Sequence, residues 1–215
     1  MTKHLGRTLI AGLCLLSTSA FAGIIDFTFT GGDGSLVNSA SFNSGGVGVT
    51  ATAFSIDTNG VAEAGSLWLA STGLGVVNAG NDNSSTVDNG PAGTGWDDYV
   101  KFTFNQAVTV TRVSVYPYGD IDISYNTGAT TWSTQPADAS GAGITTIWLT
   151  TTALSDIFRL GASQANGQSN DSFTIAGLRI QTQGSTARAV PEPGTLALLG
   201  AGLVGLGLVR RRKHS

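Results

Sequence analysis

Residues 98–116 read Asp98-Tyr99-Val100-Lys101-Phe102-Thr103-Phe104-Asn105-Gln106-Ala107-Val108-Thr109-Val110-Thr111-Arg112-Val113-Ser114-Val115-Tyr116. Apolar and polar side chains take turns along most of this stretch. A period of two sets one face of a strand against a core and the other against water. The stretch therefore predicts two strands, Tyr99 to Asn105 and Val108 to Tyr116. The same pattern recurs at Ile24 to Thr30, Val47 to Ile56, Ser66 to Ala70, Ile121 to Tyr125, Ile144 to Thr150, Asp156 to Gly161 and Ser172 to Gln181. Between the two ends of the chain no stretch keeps a helical period, and Gly, Asn, Ser and Asp fill the gaps. Short strands with glycine-rich turns predict an all-β fold, an antiparallel β-sandwich of the jelly-roll kind. The absence of an internal repeat argues against a solenoid. The expected core includes Phe102, Phe104, Val113, Val115, Ile147, Phe158, Phe173 and Ile175. Trp68 and Trp148, inside apolar strands, are expected there too.

Composition narrows the chemistry. Between residues 23 and 189 there are five cations (Lys101, Arg112, Arg159, Arg179, Arg188) against twelve Asp and Glu63, a net charge of −8. Phosphate recognition needs clustered cations, so nucleic acid is a poor partner. The single cysteine is Cys14 and the two histidines are His4 and His214. The intervening domain therefore has no disulfide, no thiol nucleophile, no Ser-His-Asp or Cys-His set and no ordinary zinc site. A paired-carboxylate glycosidase keeps its raw materials in Asp97, Asp98, Asp120 and Asp122. Such enzymes usually draw on longer chains with aromatic clefts, and no enzyme is expected here.

The two ends read as addresses. Lys3 and Arg7, the apolar stretch Leu9 to Leu16, and Ala20-Phe21-Ala22 are the parts of a secretory signal peptide, with cleavage expected after Ala22 to leave Gly23. Leu13 before Cys14, and apolar residues after it, argue against lipidation. At the other end Val190-Pro191-Glu192-Pro193 is held extended by its prolines. Gly194 to Val209 is an uncharged run of 16 residues, about 24 Å as a helix. It is a short membrane span that local thinning or snorkelling would complete. Arg210, Arg211, Arg212 and Lys213 follow, the bias that keeps a terminus cytoplasmic. The expected organisation is a signal-peptide helix at 1–22, a β-sandwich ectodomain at 23–183, a linker at 184–189 and a tail at 190–215 carrying one transmembrane helix. Gly200-Ala201-Gly202-Leu203-Val204-Gly205 matches a dinucleotide fingerprint in form only, since no βαβ unit surrounds it.

This three-part tail resembles the PEP-CTERM sorting tail of Gram-negative bacteria, also called the ice-binding protein C-terminal domain. The resemblance implies recognition of Pro191, Glu192 and Pro193 by exosortase, a membrane cysteine protease, with the basic cluster Arg210 to Lys213 as stop signal. It implies an exported protein, anchored transiently in the inner membrane and then passed to the outer surface or exterior, often alongside exopolysaccharide and biofilm. Asp98 to Phe104, Val108 to Val115 and Gly177-Leu178-Arg179-Ile180 also resemble a module common in PEP-CTERM ectodomains, read as β-sandwiches without an assigned function.

Within the ectodomain, Asn78 to Asp98 is the longest polar stretch at 21 residues, longer than an idle connection. Thr30 to Gly46 and Ser163 to Asp171 read as further low-complexity gaps. Asn81, Asp82, Asn83, Asp88 and Asn89 supply hard oxygen donors for a structural calcium ion, with Asp120 and Asp122 as further candidates; the alternative is a solvated loop whose side chains bond their own backbone. No other cofactor is expected. Trp96 and Trp132 lie in polar surroundings and are candidates for an exposed sugar-binding surface. The leading expectation is a non-enzymatic surface or matrix protein, processed by signal peptidase and exosortase. The alternative is a carbohydrate-binding module, partnered by polysaccharide and delivered by the same route.

Overall fold

The computed structural model describes residues 23–56, 61–78, 85–88, 97–119, 121–128, 131–136, 143–150, 152–162 and 171–183. Ala22–Gln183 forms one compact unit. Its described residues are all-β, with fourteen strands and no helix. They are β1 (Ile24–Thr28), β2 (Ser35–Val37), β3 (Ser39–Ser44), β4 (Val47–Ile56), β5 (Ala62–Ala64), β6 (Ser66–Ala70) and β7 (Gly73–Val77). β8 (Val87–Asp88), β9 (Asp97–Pro117), β10 (Asp122–Asn126), β11 (Ser133–Pro136), β12 (Thr145–Trp148), β13 (Ser155–Ala162) and β14 (Ser172–Thr182) complete the set.

The two strands expected from residues 98–116 are one strand, β9, of 21 residues. Its first half pairs with β4 and β13, and its second half with β14 and β12, all antiparallel. The switch falls at Asn105, Gln106 and Ala107, which are exposed. There the β13 register jumps from Ile157↔Thr103 to Ser155↔Val108. One chain thus passes from one layer to the other, the way strands make the corners of a sandwich. The first layer continues outward through β3 and β5 on one side and through β10 and β11 on the other. In the second, the far side of β14 is shared by β8, β7 and β1, with β6 and β2 beyond β7.

Alternation fixes which side faces in. On β4 the residues Val47, Val49, Ala51, Ala53 and Ser55 are buried and those between them are half-buried. Phe104 and Phe102 of β9 meet Phe27 of β1 and the adjacent Phe29 across the layers. Ring centroids lie 6.2 Å apart for Phe27–Phe104 and 5.5 Å for Phe29–Phe102. Phe102 also meets Phe158 of β13 at 6.3 Å. All eight residues expected in the core are buried. Each side chain of this size contributes about 1.5–3 kcal/mol on leaving water.

Three expectations are corrected. Thr30 to Gly46 is not a structureless gap: it holds β2 and β3, and β3 pairs residue for residue with β4 from Ser39↔Thr52 to Ser44↔Val47. Its turn is Gly45-Gly46, with φ of 54° and 81°, the two positive values that a tight hairpin turn requires and that glycine adopts without a Cβ penalty. The small polar residues of β3 concealed its alternation. Trp148 is not in the core; it is 58% exposed, because the inward position of β12 belongs to Ile147. Trp68 is half-buried.

Candidate functional site

The outer side of the second layer carries one row of four side chains drawn from four strands. Trp148 of β12 is paired with Arg112 of β9, Arg112 with Arg179 of β14, and Arg179 with Asp26 of β1. A bulge aims the row. On β9 the inward residues run Val108, Val110, then Val113 and Val115, so strict alternation would turn Arg112 into the core. Thr111 is the extra residue: β14 pairs Ile180 with Val110 and Arg179 with Arg112, skipping it. Such a bulge flips the faces of the strand beyond it. It is held by Thr111 Oγ1 donating to the Arg179 carbonyl at 3.3 Å and by Leu149 N–H donating to the Thr111 carbonyl at 3.0 Å.

Arg179 donates through Nε and Nη2 to the two oxygens of Asp26, both at 2.8 Å, in the forked geometry that suits a carboxylate. Arg112 adds one bond from Nη2 to Asp26 at 3.0 Å. The hydrogen bond from Arg179 is the largest effect on the Asp26 carboxyl; burial opposes it, and the charges of Arg179 and then Arg112 add to it, so the group is held below its ordinary value of 3.8. The guanidinium carbons of Arg112 and Arg179 lie 5.7 and 5.8 Å from the Trp148 ring centroid, in cation–π range. Gln135 of β11 donates to the Trp148 carbonyl at 2.8 Å. The indole therefore rests on a cationic bed while the residue stays 58% exposed.

The outer side of the first layer carries an aromatic stack of a different kind. Phe54 of β4 and Tyr99 of β9 stack at 5.2 Å, and Trp132 meets Tyr99 edge-on at 5.4 Å. Lys101 Nζ lies 4.9 Å over Phe54. Tyr99 is buried there, and burial raises its phenol above 10.0 against a smaller lowering by Arg159. Trp132, named from sequence as a ligand residue, is half-buried and serves as part of this cover. Trp96 lies outside the described residues.

Of the calcium candidates only Asp88 and Asp122 are described; Asn81, Asp82, Asn83, Asn89 and Asp120 are not. Asp88 accepts from Thr86 Oγ1 at 3.0 Å and is paired with Ser172. Asp122 is buried, and its N–H donates to Asp171 Oδ1 at 2.9 Å. Among the described residues no three acidic or other metal-binding groups converge. Asp98 is buried and accepts from Ser55 Oγ. Ala20 and Ala22 of the expected cleavage site also lie outside the description; Gly23 is described and exposed, its N–H donating to Thr182 Oγ1 at 3.2 Å. Pro191, Glu192 and Pro193, the span at 194–209, and Arg210, Arg211, Arg212 and Lys213 lie outside the description. Among the described residues no helix is long and apolar enough to cross a membrane.

Sequence reasoning missed the site at Trp148. Its signal was present in the strand of residues 108–116, where Arg112 falls on the side otherwise given to valine. A bulge is the resolution, and its position needed the partner strand.

An all-β ectodomain ahead of a proline-flanked, apolar and then basic tail defines an exported protein carrying a sorting signal. Residues 189–213 match the PEP-CTERM protein-sorting motif. The chain is thus an exosortase-sorted exported protein whose tail associates with the membrane and whose destination is the cell surface or exterior. No curated protein matches the chain.

Proposed function

We propose that the chain places a non-enzymatic β-sandwich among the polysaccharides outside the cell, as a component of the surface or biofilm matrix. The amino-terminal segment leads it across the inner membrane. The tail then halts there on Arg210, Arg211, Arg212 and Lys213. Exosortase cuts near Pro191-Glu192-Pro193 and releases the ectodomain to the outer surface. The sorting motif at residues 189–213 carries this reading. Its non-enzymatic part is supported by the lack of His and Cys between residues 23 and 189, and by the burial of Asp98 and Asp122, two of the four carboxylates from which a glycosidase pair would be drawn.

Fractionation of exosortase-bearing cells tests it. Wild-type protein is expected in the matrix fraction without its tail. The double change Pro191→Ala, Glu192→Gln should leave full-length chain in the inner membrane. Intact wild-type chain in the cytosol overturns the reading.

The exposed Trp148 favours a second reading, a carbohydrate-binding module on the same delivery route. The Asn/Asp-rich loop is proposed to hold a structural calcium ion through Asn81, Asp82, Asn83, Asp88 and Asn89, supported by their oxygen chemistry. Thermal melts in calcium and in chelator decide it, and an unchanged midpoint removes the ion.

A further inference from the structure

We propose that Trp148 and Arg112 form a binding site for an anionic polysaccharide carrying uronate units, with Arg179 and Asp26 positioning Arg112. The inference rests on the reading that the ectodomain works among polysaccharides, and it names the ligand class and the residues.

The open indole comes first. One side of the ring lies against the two guanidiniums, and the residue is still 58% exposed. A flat aromatic surface resting on a cationic bed loses little freedom when a pyranose ring stacks on it through its C–H face. Its surroundings suit a sugar better than a protein. Along the same face, the next row consists of Thr146 on β12, Ser114 on β9 and Gly177 on β14. A protein partner needs an apolar centre within about 800 Å² per side. Here one aromatic ring has small and polar residues on one side and a lone exposed Ile24 beyond Asp26 on the other, enough for a single sugar ring with hydrogen-bonding groups at its edge and too little for a protein's apolar centre.

The charge of the ligand follows from donor arithmetic. A guanidinium has five N–H donors. Arg179 spends two on Asp26, in the fork. Arg112 spends one there, through Nη2; its Nε is buried, and its side chain is 23% exposed, so the donors it can offer are the remaining N–H groups at the guanidinium tip. Arg112 therefore has donors left over beside the indole, while Asp26 holds both cations in place. The row carries two positive charges and one negative on a domain whose net charge is −8. An acidic polymer is repelled by the domain as a whole and attracted here. The bulge at Thr111 supports a function. It gives up ladder pairing to present Arg112 to solvent rather than to the valine core, and bulges re-aim side chains in this way next to binding sites.

Affinity electrophoresis of the full chain, in a detergent without a sugar headgroup, tests the site with polygalacturonate as the probe and dextran as the neutral control. Retardation by polygalacturonate alone is expected, weakening with salt. Trp148→Ala and Arg112→Gln should each lower the apparent affinity about tenfold, the scale of one stacked aromatic or one charge-assisted contact. Trp148→Phe should keep most of the binding. Because Trp148 is exposed, its Ala variant is expected to melt within a few degrees of the wild type, which separates lost contact from lost fold. Equal retardation by dextran overturns the anionic assignment. No retardation, or no change in Trp148→Ala, overturns the site. A patch that ignores polygalacturonate but binds phosphatidylglycerol vesicles through Trp148 belongs to lipid, and that result overturns it as well. Matrix fractionation keeps the underlying reading separate. Wild-type protein that binds polygalacturonate but never reaches the matrix fraction defeats the delivery account and leaves the site standing.

Discussion

Trp132 and Trp148 occupy the outer sides of different layers, and their surroundings put aromatic residues to opposite uses. Trp132 closes over Tyr99, which Phe54 covers from the neighbouring strand, and the stack removes a phenol from water. Trp148 covers two arginines that remain partly exposed and keeps its own ring in solvent. Their local sequences point the other way, since Trp148 lies between Ile147 and Leu149 and Trp132 between Thr131 and Ser133. The cross-strand neighbours decide between cover and platform: an apolar ring next door invites burial, whereas a guanidinium offers attraction without removing the indole from water.

The contrast is open to breaking by mutation, and the largest effect belongs to the sealed side. Tyr99→Ala is expected to cost about 3 kcal/mol in denaturant unfolding, the loss of a buried aromatic plus the cavity it leaves. A cost near that of a surface change would mean the stack is not closed in solution. Next comes Gly177→Ala, which disturbs only the layer under Trp148. An added Cβ would lie 2.5 Å from the Phe27 carbonyl oxygen on β1, so the strand must shift. A loss of about 2 kcal/mol is expected, as for overpacking generally.

Trp132→Ala should be milder, about 1.5 kcal/mol for a half-buried aromatic. It carries a second readout, because burial is what raises the Tyr99 phenol above 10.0. Ultraviolet titration of the variant should show the phenol moving down toward that value, and an unmoved titration would assign the burial to Phe54 alone. Trp148→Ala should cost about 1 kcal/mol or less, the scale of an exposed cation–π contact. If it matches Trp132→Ala, the platform reading loses its physical basis.

The smallest effect is the response to acid of the Asp26 cluster. The folded state holds this carboxyl below 3.8, so its contribution is complete above that pH and is lost as pH falls through the folded value. Comparing Asp26→Asn with wild type, the gap between their melting midpoints should be small at neutral pH and should shrink below pH 3.8. Salt should reduce it as well, since the pair is partly exposed. A gap that widens in acid would reverse the assigned sign.

Much of the fold was legible in the chain. Strands with clean alternation, such as β4, have the bounds expected of them. β3 escaped notice because Ser, Ala and Asn give alternation little contrast, although Gly45-Gly46 marks its turn. β9 was read as two strands because Gln106 and Ala107 break its alternation, and only its partners show that the interruption is a change of layer. Trp96 and most of the calcium candidates fall outside the described residues. The site at Trp148 was illegible for a specific reason: its four residues come from positions 26, 112, 148 and 179, and a bulge reverses the face on which one of them would be expected.

The sequence by itself determined the address and the class of fold. A sorting tail is read as a linear run of prolines, apolar residues and cations, and a strand's inward side is written in its period of two; both are local and need no partner. Only the tertiary structure decided which tryptophan is open and which arginines lie beneath it. Cross-strand register is set by where hydrogen bonds lock distant segments together, and shifting one bulge by a single residue would have turned Arg112 toward the core.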